Sequence, residues 1–445
     1  MDKNSFLKSV RNAGVIGEGG AGFPAHVKYD SDVDTVIANG CECEPLLCSD
    51  RYMMQTYARE IVRGLMAVMS STGAGRGVIG LKRKYTECVA AFEKAARSSD
   101  LEIFQMDDFY PAGDEQILVY EVTGKSIPPF GLPKDSGVVV CNVSTLYSVS
   151  NALDEHPVTH KILTITGNIA RPSILRVPIG TSLEELVIHC GGSLVDEPVY
   201  VVGGPMMGKV LDSAEDIQNA VTSKTTSGVI VLPKDHYLHQ CAGLSVEVMQ
   251  KRAATACIQC RYCTDLCPRY LIGQRFETHK VMRAFSTGID IEQDCLQALM
   301  CSECGACELF SCPMRLSPRR INAYLKAQFR EKGLNFNGPL DIEEERTWLR
   351  NYRKIPSKRL AHKIGVAEFE PILPDFGGDY TASTVSIPLH QHIGAPAVAT
   401  VKVGDQVSPG DVIGDIPENS LGAMVHASIK GVVAEVGKNI TIRGE

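Results

Sequence analysis

Eight cysteines in two short runs are the residues of this chain best suited to chemistry. Residues 257–268 read CIQCRYCTDLCP and residues 301–313 read CSECGACELFSCP. The first run spaces Cys257, Cys260, Cys263 and Cys267 as C-x2-C-x2-C-x3-C-P, an iron–sulfur pattern. The second sets Cys301, Cys304, Cys307 and Cys312 in the same way, with one extra residue before the last cysteine. Three thiolates at two-residue intervals curl around three corners of one iron–sulfur cube, while the fourth, turned by its proline, is aimed at another cube. The spacing therefore predicts two [4Fe-4S] clusters with crossed ligands: Cys257, Cys260, Cys263 and Cys312 on one, and Cys301, Cys304, Cys307 and Cys267 on the other. Structural zinc sites of four cysteines are the competing reading, although zinc gains nothing from a third cysteine at the same interval followed by Cys-Pro. Cys295 lies near enough in sequence to be an alternative to Cys312.

The other cysteines (Cys41, Cys43, Cys48, Cys88, Cys141, Cys190, Cys241) are scattered and read as small core residues, with the trio Cys41, Cys43 and Cys48 dense enough to admit a third metal site. Sixteen cysteines in a 445-residue chain with no export signal point to reduced thiols rather than disulfides, and so to a cytoplasmic protein. A formal charge of −7 argues against nucleic acid as a partner, and no apolar run is long enough for an integral membrane protein.

One-electron clusters need a donor that splits an electron pair, and GVIGEGGAGFPAHVKYD is the stretch that could hold one. Gly17, Gly19, Gly20 and Gly22 remove side chains where backbone must approach a ligand, and N–H groups in such a loop cradle phosphate. By themselves the glycines fit a ligand-free tight turn equally well. Around the loop, Thr35–Ala38 and Val138–Cys141 read as buried strands ending in polar residues, where α/β sheets bind ligands. A helix cap is expected at Ser144 or Thr145, and Asp114 with Glu115 sits at a turn where carboxylates cap a helix.

These segments resemble, in this order, the FMN and NADH site of the NADH-oxidising flavoprotein subunit of respiratory complex I, and more closely the RnfC family of electron-transport subunits. The matching pieces are Gly17 to Pro24, Asn39-Gly40 with Glu44-Pro45 and Asp50-Arg51, Gly113-Asp114-Glu115, and Asn142-Val143 with Thr145. The resemblance implies that Gly17, Gly19, Gly20, Gly22, Asn39, Glu44, Asn142 and Thr145 form the cofactor site. Phe23 would lie near the nicotinamide, Lys28 would meet phosphate, and Asp114 with Glu115 would contact flavin or dinucleotide. Glu18 departs from the pattern: complex I has an arginine there, and a carboxylate beside a phosphate is unfavourable unless it points away.

Downstream, KILTITGNIARPSILRVPIGTSLEELVIHCGG alternates apolar residues, turns, and then starts a helix at Thr181 or Ser182, which resembles the SLBB β-grasp module of the same family. VVGGPMMG at 201–208 is also RnfC-like, its methionines suited to packing. Helices are expected over RFETHKVMRAFSTG and RRINAYLKAQFREKG, each ended by glycine. The charged stretch 341–365 reads as a solvated connection. The C-terminal stretch resembles a barrel-sandwich hybrid, a scaffold rather than a carrier because DIPENS has no lysine, with His390, His392 and His426 as packing residues. The expected organisation is multidomain α/β: FMN/NADH-binding domain 1–155, SLBB β-grasp domain 156–240, helical two-cluster domain 241–335, linker 336–378, and barrel-sandwich hybrid 379–445.

A barrel-sandwich domain placed last resembles the PduS-type cobalamin reductases of propanediol-utilisation microcompartments. That resemblance implies NADH as donor, FMN and two [4Fe-4S] clusters as conduit, and cobalamin as acceptor. A corrinoid adenosyltransferase and microcompartment shell proteins are its implied partners, and the interior of a bacterial microcompartment its implied location. The alternative is an RnfC-like protein serving a membrane complex or ferredoxin.

Overall fold

Strands buried on both faces read as near-continuous apolar runs, and four such runs form one parallel sheet. In the computed structural model, which describes residues 2–288, 294–370 and 374–444, β1 (Thr35–Gly40), β2 (Arg76–Lys82), β3 (Glu102–Met106) and β4 (Val138–Asn142) lie in the order β3-β2-β1-β4. Each neighbouring pair is parallel. Alternate residues feed two cores: Val36, Ala38, Ile79 and Val139 pack with helices Ala58–Thr72 and Val143–Ala152, while Ile37, Val78 and Val140 pack with helix Glu115–Thr123. The chain runs outward from β1 to β3 and returns to β1's other side as β4. Such a switch in strand order opens a crevice at the carboxyl ends, and Asn39 and Asn142 are register partners there. The helix after β4 is capped by Asn142, whose side chain accepts from Ser144 N at 2.8 Å, earlier than the expected Ser144 or Thr145.

A second sheet contains β5 (His160–Gly167), β6 (Ser173–Pro178), β7 (Pro198–Val202), β8 (Lys209–Leu211), β9 (Gly228–Pro233) and β10 (Asp375–Asp379), in the order β10-β6-β5-β9-β7-β8. The β5–β6 hairpin is antiparallel, β5 and β9 are parallel, and helix Leu183–His189, capped by Ser182, packs on the sheet through Leu183, Leu186 and Val187. This is the β-grasp arrangement. Its edge strand β10 comes from the stretch expected to be a linker, which also forms helix Ser357–Ile364. Nor is that stretch a wholly solvated face: Arg350 is buried, ion-paired with Glu121, and lies over the rings of Phe109 and Tyr120.

Helices Val246–Ala256, Thr278–Thr287 and Pro318–Glu331 enclose a separate core around both cysteine runs. A four-stranded and a three-stranded sheet make up the C-terminal barrel-sandwich unit. His392 there bonds the backbone of Ala395 and Ala423, and His426 is held far below the usual imidazole range, at about 3, by burial first and then by Lys224. Among the described residues no helix is long and apolar enough to cross a membrane.

Candidate redox site

The two cysteine runs fold alike. In the first, Gln259 and Arg261 flank Cys260 at φ 54° and 67°; in the second, Glu303 and Gly305 flank Cys304 at φ 60° and 80°. Left-handed backbone at three non-glycine positions is costly, and its repetition at equivalent places shows both loops curling the same way around a centre. The extra residue of the second run is absorbed locally. Residues Ala306–Ser311 form a π-helical turn, the usual way to fit one additional residue into a helix, where the first run has an α-helical turn at Tyr262–Asp265.

Crossing follows from this geometry. Cys257, Cys260, Cys263 and Cys312 ring one cavity with Ile258, His279, Met282 and Pro313. Burial first, and then the neighbouring Cys312, Cys257 and Cys260, push the Cys263 thiol up to about 12. Cys267 is raised by burial, then by Cys304 and Cys301; Cys307 is raised by burial, then by Cys301, Cys304, Cys267 and Cys263. The first group, here the outer site, is partly exposed, whereas the four cysteines of the second, the inner site, are all buried. Donors already face the sulfurs: Glu303 N to Cys301 Sγ at 3.3 Å and Leu316 N to Cys312 Sγ at 3.4 Å. Four thiols in one dry pocket ionise together only around concentrated positive charge, so each donor set fits a polynuclear metal centre. Among the described residues no three His, Cys, Asp or Glu are set around a single ion. The thiols of Cys41 and Cys48 turn to separate partners: Cys41 Sγ packs on Met106 Sδ at 3.7 Å and Gly80 O at 3.5 Å, and Cys48 Sγ faces Leu46 O at 3.4 Å. Cys295 is buried in the helical core, apart from the cavity that Cys312 lines.

The glycine loop lies across the crevice of the parallel sheet. A Cβ on Gly19 would stand 3.1 Å from Asn142, Glu18 N donates to Thr145 Oγ1 at 2.9 Å, and Gly17 N closes the loop on Phe23 O at 2.8 Å. Asn39 Nδ2 donates to Gly113 O at 2.9 Å, and Lys28 pairs with Glu115 at 2.7 Å. These contacts gather Gly17, Gly19, Phe23, Lys28, Asn39, Glu115, Asn142 and Thr145 along one edge. Gly20 faces open space, with an exposed backbone suited to a phosphate. The Glu18 carboxylate turns away from the loop, into a buried 2.5 Å pair with Lys161 of the β-grasp unit and a hydrogen bond from Ser148. Its conflict with a phosphate is thereby removed.

Two of the expected cofactor residues are turned toward the cluster side. Asp114 caps helix Glu115–Thr123 through Gln116 N and Ile117 N, and its other oxygen pairs with Arg269 at 3.0 Å, two residues past Cys267. Glu44 accepts from Met206 N at 2.8 Å, leaves its second oxygen without a hydrogen-bond partner, and is raised to about 7 by burial, against the lowering effect of that amide. A Cβ on Gly204 would lie 2.1 Å from this carboxylate, so only glycine lets the methionine loop approach. Tyr110 O–H donates to Cys304 O at 2.5 Å. Gly22 O accepts from Ile393 N at 3.0 Å, and Lys224 Nζ donates to Gly14 O at 2.6 Å and Met424 O at 2.7 Å, so the barrel-sandwich unit buttresses the glycine loop. Sequence reasoning missed Tyr110, Lys161, Lys224 and Arg269; only Arg269, next to a Cys-Pro, stood beside a local signal.

Comparison with known proteins agrees with this layout. Residues 10–151 match the Nuo51 FMN-binding domain, 162–210 the SLBB domain, 256–317 a 4Fe-4S dicluster domain, and 380–445 the RnfC barrel sandwich hybrid domain. Cobalamin reductase PduS of Citrobacter freundii is 42% identical over 98% of this chain and 95% of its own length, and that of Salmonella typhimurium is 42% identical over 98% and 96%. A component of the Na(+)-translocating ferredoxin:NAD(+) oxidoreductase complex of Acetobacterium woodii is 36% identical, over 61% of this chain and 59% of its own. An NAD+-reducing [NiFe]-hydrogenase chain shares the fold at a TM-score of 0.50 and 22% identity, across 77% of this chain and 64% of that one. With near-complete coverage at this identity, the chain belongs to the PduS cobalamin reductase family.

Proposed function

We propose that this chain is an NADH-dependent flavin and iron–sulfur oxidoreductase that delivers electrons to cobalamin. The bound groups supply the chemistry: FMN takes a hydride from NADH, and two [4Fe-4S] clusters carry the electrons onward singly. The chain's residues hold and separate them. Gly19 and Gly20 present backbone to the flavin phosphate, Gly17 and Gly22 close the loop that holds them, and Lys28 is the phosphate's cation. Asn39, Asn142 and Thr145 line the flavin from the strand ends, and Phe23 and Glu115 face the dinucleotide. Cys267, Cys301, Cys304 and Cys307 ligate the inner cluster, and Cys257, Cys260, Cys263 and Cys312 the outer one. Tyr110, Glu44 and the Asp114–Arg269 pair fix the flavin unit against the inner site and keep water from the gap. No side chain need act as general acid or base.

One observation carries this assignment: the buried cysteine group touches the flavin-binding edge through Tyr110 and Arg269, and among the described residues no such hydrogen bond or ion pair ties the partly exposed group to it. Family membership supports a corrinoid adenosyltransferase as the recipient's carrier and a propanediol-utilisation microcompartment as the setting. The test is anaerobic purification with iron, sulfide and flavin quantification, followed by NADH-driven reduction of cob(III)alamin. About eight irons and one flavin per chain are expected. Zinc in place of iron, or colourless protein, would refute the proposal.

A further inference from the structure

We propose that the rim of the outer cysteine site is the docking surface for a protein acceptor with an acidic face, an inference that rests on the electron-transfer assignment above. Ile258, Tyr262 and Met314 are 63%, 53% and 40% exposed. Ile258 and Met314 line the same cavity as Cys257, Cys260, Cys263 and Cys312, and Tyr262 lies between two of those cysteines in sequence. Large apolar side chains left in water at the mouth of a cofactor site mark a contact surface.

The charges around that mouth indicate what makes the contact. The chain carries a net −7, yet Arg261 lines this cavity, and Arg315, next in sequence to Met314, has its backbone carbonyl bonded by Arg252. Arg252 donates to Arg315 O at 3.0 Å, and the Arg315 guanidinium lies 5.3 Å from the Tyr237 ring centroid; among the described residues neither arginine forms an ion pair. Arg261 reaches Asp265 and Glu277 only at 3.8 and 4.0 Å, and Asp265 is shared with Arg353 at 3.5 Å. Glu247 sits at the far end of helix Val246–Ala256, roughly 15 Å from Cys257 by helical rise. Exposed aromatic, methionine and arginine side chains are the groups enriched at protein–protein interfaces, and unpaired cations steer an acidic partner. The overall transfer balances: NADH loses two electrons and one proton to become NAD+, two one-electron acceptor proteins gain one electron each, and the proton is released to solvent.

The soluble domain of cytochrome b5, an acidic one-electron carrier, serves as probe, with basic cytochrome c as its counterpart. Binding is read first, by fluorescence anisotropy of zinc-porphyrin cytochrome b5 titrated with the holoprotein, which involves no turnover. The affinity should fall about tenfold between 20 and 200 mM salt and about tenfold again in the Arg252→Glu/Arg315→Glu protein. NADH-driven reduction of cytochrome b5 should follow the same order, with cytochrome c reduced faster by the variant, while bleaching of the bound flavin by NADH is unchanged. Arg252→Ala/Arg315→Ala, a milder change without charge reversal, should weaken cytochrome b5 binding as well and provides a second variant if the double reversal lowers flavin or iron content. Salt-independent binding, or wild-type binding by the arginine variants that keep their iron and flavin, would overturn the interface. Loss of NADH bleaching in the unmodified protein would refute the underlying assignment instead, leaving the binding titration to decide the interface on its own.

Discussion

The two cysteine sites share a loop geometry and differ in everything around it. The inner site is closed in by three units: Tyr110 and Asp114 from the flavin unit, the Met206 loop from the β-grasp unit, and its own helices. The outer site has one open side, rimmed by exposed apolar residues and Arg261. One motif, folded twice, thus gives one sealed site and one open site, and the neighbours rather than the cysteines decide which is which.

The strongest way to break this comparison is to remove an inner ligand. Cys304→Ala should lose about half of the iron and leave the outer cluster unreduced by NADH while flavin bleaching persists, as read by iron analysis and EPR. Next is the seal of the flavin loop. Lys161→Met strands Glu18 as a buried carboxylate, and a cost of about 3–5 kcal/mol is expected in denaturant midpoint, together with faster flavin release. Gly204→Ala forces the methionine loop off Glu44 and should cost about 1–3 kcal/mol, with slower transfer from flavin to the inner site and no change at the outer. Asp114→Asn keeps a competent helix cap but removes the charge facing Arg269, so the loss should be smaller, about 1 kcal/mol.

A pH measurement sharpens the contrast further. Burial holds Lys224 at about 7, below the ordinary 10.5 of lysine. Between those values the unfolded chain binds more protons, so this residue makes stability rise with pH from about 7 toward 10.5 and fall back as pH drops through 7. The Lys224 share of the denaturant midpoint should therefore climb across that window while the buried thiols pull the other way above pH 9, and the difference between the unmodified protein and Lys224→Met should grow from about pH 7 upward. An unchanged slope in the variant would assign it to other groups.

Sequence periodicity and spacing revealed what is local. The cysteine pattern, the two strands at the crevice and the β-grasp helix start are set by neighbours a few residues away. What escaped is held by distant partners. Glu18 looked misplaced because Lys161 lies 143 positions on, and Arg350 looked solvated because Glu121 is 229 positions away. The extra residue before Cys312 raised a question that spacing could not resolve, since a π-turn leaves no mark in residue types. Residues 371–373 of the expected linker and 289–293 of the expected cluster unit lie outside the described residues.

The order flavin, inner site, outer site is tested most directly by freeze-quench EPR of the Cys257→Ala protein after mixing with NADH. The remaining cluster should be reduced as fast as in the unmodified protein, while transfer to external acceptors collapses. If instead no cluster is reduced, or external transfer continues at the original rate, the sealed relay and exposed port have been assigned to the wrong cysteines.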